Sequence, residues 1–190
     1  MTQTERPVGR PRSEEARTAV LRAVDDMLVD EGYAAMTMKG IAERAGVGRQ
    51  TVYRWWSTKA EILLEASAAD AVLELAVEPR PTVREDVEDL LVAVVRFLTE
   101  SDAGLAYRAL IGEAQHDPKV AELMAGADPL GDAARSVIER HRAAGRLGAD
   151  LDPTVAAAEL VGPLVFRILV QGAVPDRREV ASIAERFVRQ

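Results

Sequence analysis

The sequence predicts an all-α fold: an N-terminal three-helix unit of helix-turn-helix form, joined through a long fourth helix to a larger helical body. Three observations carry this. Apolar residues recur at steps of three and four almost throughout, and no alternating strand pattern of useful length interrupts them. The distance from Thr37 to Trp56 fits two short helices around a tight turn at AGVG, residues 45–48. Charge is divided: residues 1–60 hold ten Lys/Arg against eight Asp/Glu, a balance of +2. The rest holds 14 against 23, a balance of −9, within a net charge of −7.

The elements follow in order. From Ser13, a good N-cap, Ala16, Val20, Ala23, Val24, Met27 and Leu28 recur on one helical face, and Gly32 supplies the stop. Thr37 caps a short helix 2 whose inward face is Ile41, Ala42 and Ala45, and Gly46 makes the turn. GRQTVYRW forms a second short helix. Thr58 and Glu61 then stand in capping-box relation at the head of helix 4. EPRPT breaks the pattern after Val77, and Thr82 with Glu85 repeats the box. We therefore expect a basic arm at residues 1–12, a helix-turn-helix domain at 13–77 and a helical body at 78–190.

In the body, Asp117-Pro118, Asp128-Pro129 and Asp152-Pro153 each place a capping carboxylate before a proline at the first helical position, so each starts a helix. Residues 153–171 are apolar on more than one face. Such a helix needs cover on two sides, from a second subunit or from its own.

Composition closes several routes. At 190 residues and 48% hydrophobic the chain is long enough to bury one sizeable core. Without cysteine, neither a disulfide framework nor a thiolate metal site can form. No uninterrupted apolar run approaches the roughly 18 residues that span a bilayer, and the start lacks the apolar centre of a signal peptide. The expectation is a soluble cytoplasmic protein, associated with the nucleoid, with no membrane partner and no cofactor. His116 and His141 are too far apart for a local metal motif, so no metal site is expected.

The stretch GVGRQTVYRWWSTKAE places both tryptophans beside Tyr53 and among Arg49, Arg54 and Lys59. On the second helix of the motif, Arg49, Gln50, Thr51, Tyr53 and Arg54 lie near the start and along one side, while Val47, Val52 and one Trp face inward. These residue types suit duplex DNA: Arg pairs with guanine, Gln with adenine, a Thr methyl with a thymine methyl, and Tyr reaches a phosphate. Lys59, in the first turn of helix 4, can share a phosphate with the backbone N–H groups there. Thr37 and Lys39 at the head of helix 2 complete the DNA-facing set. Adjacent helical residues lie about 100° apart, so the two tryptophans cannot face the same way. Trp56 is expected inside and Trp55 at the rim, near the DNA backbone. Arg10 and Arg12, in PVGRPR, have two readings: an arm in the minor groove, or a basic leader with no defined contact.

The stretch TMKGIAERAGVGRQTVYRWWSTKAEIL resembles the DNA-binding region of TetR/AcrR regulators, with the motif-bearing likeness covering residues 13–70. It implies that Tyr53 and Lys59 hold phosphates and that Arg49 through Trp55 read the major groove. Gly48 stands where the family often has a Ser or Thr cap, and Gly40 lies within helix 2; both should loosen the helix ends. For residues 80–190 the likeness lies in length and helical plan, implying a ligand-binding and dimerisation domain whose last two helices pair with those of a second subunit. Leu160, Leu164, Ile168, Ile183 and Phe187 are the interface residues this suggests. Tyr107, Gln115, His116, Phe166 and Arg167 are eligible by type to touch an effector, or to be ordinary surface and packing residues.

The leading reading is a homodimeric, ligand-responsive repressor on a palindromic double-stranded operator, with a small-molecule effector. An all-helical enzyme is opposed by the lack of a phosphate loop, an HExxH, a Cys nucleophile or a Gly-x-Ser-x-Gly elbow. The other alternative is a helical protein-interaction module or a nonspecific DNA binder without a small-molecule effector.

Overall fold

The computed structural model describes residues 10–189, with side chains from Glu14 onward. Among these residues there are ten α-helices, one π-helical turn and no strand. Contacts divide the chain between Ser67 and Ala68, inside the fourth helix and ten residues before the expected boundary. The reason is local: α4 (Lys59–Glu74) buries Ala60, Ile62 and Leu63 in its first half, whereas Ala71 in its second half and Leu75 just beyond it join the core of the second unit.

In the first unit, α1 (Arg10–Glu31) starts three residues ahead of the expected Ser13 cap. The backbone of Arg10 and Arg12 therefore belongs to its first turn rather than to an arm; residues 1–9 lie outside the described residues. Pro11 is tolerated there because first-turn N–H groups have no intrahelical acceptor. Gly32, at φ 76°, ends α1. In α2 (Met38–Arg44), Thr37 accepts from the Gly40 N–H at 3.0 Å. Gly40 has a packing role that its helix propensity hides: a β-carbon there would stand 3.3 Å from Met27 Cε of α1. Gly46, at φ 66°, closes a Schellman turn, its N–H reaching Glu43 O and that of Val47 reaching Ala42 O. Then comes α3 (Arg49–Tyr53), whose cap Gly48 offers no side-chain hydrogen bond, as its sequence foretold. Thr58 accepts from Glu61 N–H as expected, but Glu61 answers Ser57 N–H, one residue before the expected partner.

The second unit is built on α5 (Val83–Glu100), opened by a complete Thr82–Glu85 capping box. It packs against α6 (Asp102–Ala114), α8 (Pro129–Ala143), α9 (Pro153–Val165) and α10 (Arg177–Val188), while α7 (Pro118–Ala125) packs on α6. All three Asp-Pro starts form as predicted. Ser101 and Asp176 supply two further caps. Pro163 sits inside α9, where it removes a ladder hydrogen bond, and a π-helical turn, Phe166–Val170, follows.

The residues expected at a subunit interface lie instead in this unit's own core. Leu160, Leu164, Ile168, Ile183 and Phe187 are all buried. The outer side of the same helix exposes Val155, Phe166 and Val170, with Val174 beyond it. The stretch is thus apolar on two sides, one buried in its own unit and one exposed. Residues 153–170 are long and apolar enough to cross a membrane, but Glu159 and Arg167 interrupt them and one third of the stretch is buried.

Candidate DNA-binding face

The sequence of α3 sorts itself by burial. Val52 is fully buried and Trp56, just past the helix, is 4% exposed, so these two fasten α3 to the first core. Arg49, Gln50, Tyr53 and Arg54 are exposed and Thr51 is partly so, which places the predicted readers on one solvent-facing surface. Trp55 is half-buried, as expected of the rim residue, and meets Trp56 edge to face at 5.4 Å. The Arg54 guanidinium lies 4.7 Å from the Trp55 ring centre, a cation–π contact that holds the charge near the surface.

Behind this surface, polar contacts fix the angle of the tryptophan. Trp56 Nε1–H donates to Glu65 Oε2 at 3.0 Å, and Glu65 Oε1 pairs with Arg17 of α1 at 2.7 Å. Lys59 is engaged differently from its sequence reading. Its ammonium donates to Tyr33 O at 2.7 Å and Met36 O at 3.1 Å, and lies 4.0 Å from the Tyr33 ring centre. It thus clamps the turn between α1 and α2. Arg44 is likewise structural, bonded to Asp30 and Glu31. Lys39 has a loose contact to Glu43 at 3.6 Å, and Thr37 remains exposed while it caps. Arg49 and Arg54 make no ion pair among the described residues. The backbone of Arg10 and Arg12 is helical, and their side chains lie outside the described set.

In the second unit the five effector candidates do not converge. Tyr107 packs against Phe97 at 5.8 Å, and burial pushes its hydroxyl up to about 12. Gln115 and His116 are exposed at the end of α6; Phe166 is on the outer surface; Arg167 is bonded to Gln171 and Glu179. None lines the open cleft of about 750 Å³ that α5 forms with the segment before it. Its walls include Leu73, Glu74, Glu78, Arg80, Val92 and Arg96. Below it Asp86, fully buried, accepts from the Arg80 backbone N–H, from Arg140 at 2.9 Å and from His141 Nε2 at 2.6 Å. Burial alone raises this carboxyl, but the hydrogen bonds from Arg140, Arg80 and His141 outweigh it and hold the group below the ordinary carboxylate range. An ionised carboxylate only accepts, so Nε2 of His141 carries the proton.

Residues 20–66 match the model for bacterial regulatory proteins of the tetR family, and residues 77–187 match the tetracyclin repressor-like C-terminal domain. The chain belongs to the TetR family of transcriptional regulators. Its relatives include the HTH-type transcriptional regulator YdeS of Bacillus subtilis, 34% identical over 86% of this chain and 83% of YdeS. The DNA-binding transcriptional repressor TetR of Mycobacteroides abscessus is 28% identical over 85% of this chain and 87% of that protein. Among solved structures, the TetR family transcription regulator SCO0332 superposes with a TM-score of 0.78 at 27% identity, covering 92% of this chain and 97% of that one.

TetR-family membership removes the enzyme reading, since these relatives are regulators. Three features of this TetR-family chain escaped sequence reasoning. Asp86 and His141 occupy inner positions of their helices, beside Val83, Val87 and Leu90 and beside Val137 and Ile138; a charge or imidazole at a core position was the available signal. The engagement of Lys59 with two carbonyls had none, because backbone acceptors leave no mark on composition.

Proposed function

We propose that this chain is a ligand-responsive repressor that binds a palindromic operator as a homodimer. The observation that carries the reading is the sorting of α3: Val52 and Trp56 anchor it while Arg49, Gln50, Tyr53 and Arg54 face solvent. Groups free of ion pairs and fixed on a rigid element can read base edges, and a hydroxyl such as that of Tyr53 reaches phosphate. We take residues 13–77 as the reading head and 78–190 as the effector and dimerisation unit, working in the cytoplasm at the nucleoid.

The outer stripe of α9 and the π-turn supports the dimer. Val155, Phe166 and Val170 expose 55%, 52% and 69% of their surface, an apolar line that a second copy would cover. Repression is supported by likeness to the mycobacterial repressor. Ligand response is supported by the cleft, whose volume suits a small molecule. An effector releases DNA only if it binds one state better than the other. The α4 helix, with Lys59 at one end and Leu73 and Glu74 at the other, is the element whose position would differ.

Selection from a random duplex library at physiological salt tests the reading. The expected result is a palindrome with half-sites about one helical turn or slightly more apart. Arg49→Ala or Gln50→Ala should then relax preference at particular base pairs, by about 1–3 kcal/mol each. Recovery of no motif, with affinity that falls steeply with salt, would instead favour a nonspecific binder. Sedimentation of Phe166→Glu reports the dimer: a wild-type dimer and a variant monomer are expected.

A further inference from the structure

Arg44, Arg49 and Arg54 lie close together in the sequence of the first unit, and their surroundings treat them differently. Arg44 is held and neutralised, its guanidinium bonded to Asp30 at 3.2 Å and to Glu31 at 3.0 Å. Arg49, at the start of α3, makes no ion pair among the described residues. Arg54, at the other end of α3, is held without being neutralised. Its guanidinium carbon lies 4.7 Å from the centre of the Trp55 ring, and no carboxylate pairs with it among the described residues.

The kind of partner has a chemical consequence. A carboxylate orients a guanidinium but cancels its charge and occupies its N–H groups. An indole face attracts the cation through its quadrupole and leaves both the charge and the N–H donors of the fork for another acceptor. The ring is itself supported. Trp55 meets Trp56 edge to face at 5.4 Å, Trp56 is buried, and its Nε1–H donates to Glu65, which also pairs with Arg17. From α4 outward the support runs Glu65, Trp56, Trp55, Arg54, and Arg54 alone among them is exposed.

We infer that Arg54 holds a DNA backbone phosphate and that Trp55 is its positioning residue. This rests on the reading of α3 as the DNA-reading helix. Position favours phosphate over base. Residues at the start of the second helix of such a motif reach base edges, and here those are Arg49 and Gln50, whereas Arg54 is the C-cap and lies over Trp55. A guanidinium already laid on a ring has less rotamer freedom to lose when it meets a phosphate, so Trp55 raises affinity through Arg54.

A double-mutant cycle tests this, read by fluorescence anisotropy of a labelled duplex titrated with the full chain over a series of salt concentrations. A phosphate contact carries no sequence, so each variant is measured on the selected operator and on an unrelated duplex of equal length. Arg54→Ala should weaken both duplexes by about tenfold and lower the slope of log affinity against log salt by about 0.9 for each chain bound. Trp55→Met should weaken both by about threefold and leave the slope unchanged, because the charge remains. In the Arg54→Ala background, Trp55→Met should add no further loss. Trp55→Phe keeps a ring and most of the packing, and should lose less than Trp55→Met at an unchanged melting temperature. Additive losses in the cycle would overturn the positioning role. An unchanged slope in Arg54→Ala, or a loss confined to particular base pairs, would overturn the phosphate. A wild-type chain that binds neither duplex would instead overturn the reading of α3, and the inference with it.

Discussion

Two carboxylates of this protein are held by the same kinds of partner, and they differ in how deeply they lie. Glu65 accepts from the indole of Trp56 and pairs with Arg17; Asp86 accepts from the imidazole of His141 and from Arg140. The Glu65 side chain is 33% exposed and Arg17 43%, whereas Asp86 is fully buried and His141 is 1% exposed. Water has access to the Arg17 side of the first cluster. In the second it reaches Arg140, but it cannot reach Asp86 and His141 without opening the core of α5, α8 and the segment before α5. The first therefore orients a surface, and the second decides whether its unit folds.

The largest expected effect breaks the buried cluster. Asp86→Ala leaves His141 Nε2–H and the Arg80 N–H without an acceptor, and should cost about 3–5 kcal/mol, read by denaturant unfolding. Asp86→Asn tests the charge. Because the folded carboxyl titrates below its unfolded value of 3.8, its contribution is fully present above that value and is lost as pH falls through the lower folded one. The wild-type chain should lose stability relative to Asp86→Asn only below about pH 4. A difference curve in which the wild type gains stability as pH falls toward 4 would show that Asp86 is neutral in the folded protein, and a flat one that folding leaves its proton affinity unchanged.

The same cut in the exposed cluster should be far milder. Glu65→Ala is expected to cost about 1–2 kcal/mol of stability, because Arg17 finds water while the indole N–H of buried Trp56 loses its acceptor. Its larger consequence belongs to recognition. Trp56 is the anchor behind α3, so loosening it should reduce operator affinity more than stability, measured by fluorescence anisotropy beside thermal melting. Equal losses in both would remove the distinction drawn between the clusters.

Legibility follows the same division. Caps and turns were readable because they depend on a few adjacent residues: Thr37, Gly46, Thr82 and the Asp-Pro pairs stand where their chemistry puts them. Helical angle made it readable that the two tryptophans face different ways, and the expectation that Trp56 is the inner one holds. Facing was lost where a helix is apolar all round. Across α9 and the π-turn, Leu160 and Phe166 are alike in hydrophobicity, and only the packing of neighbouring helices decides that Leu160 is buried and Phe166 exposed. The effector candidates Tyr107, Gln115 and Arg167 were chosen by type and lie away from the cleft beside α5, because a cleft is made by the spacing between helices.

Within the reading head the comparison can be sharpened at a smaller scale. Tyr53 is 55% exposed, and its hydroxyl has no fold to hold. Tyr53→Phe should leave stability unchanged and weaken binding to all duplexes alike by about fivefold, the worth of one hydrogen bond. A change confined to sequence preference would place this hydroxyl on a base rather than a phosphate.

Lys59 presents the opposite case, a cation beside the proposed DNA-binding face whose ammonium is engaged with Tyr33 and Met36 carbonyls. A lysine that neutralises a phosphate contributes close to 0.9 to the slope of log affinity against log salt. A lysine that clamps a turn contributes nothing to that slope, although its loss misplaces α2 and lowers affinity. Lys59→Met should therefore reduce operator affinity and leave the slope at the wild-type value. Lys59→Arg should restore part of the affinity, since a guanidinium also donates to two carbonyls. A slope that falls by about one in Lys59→Met would mean that the ammonium leaves its carbonyls for DNA.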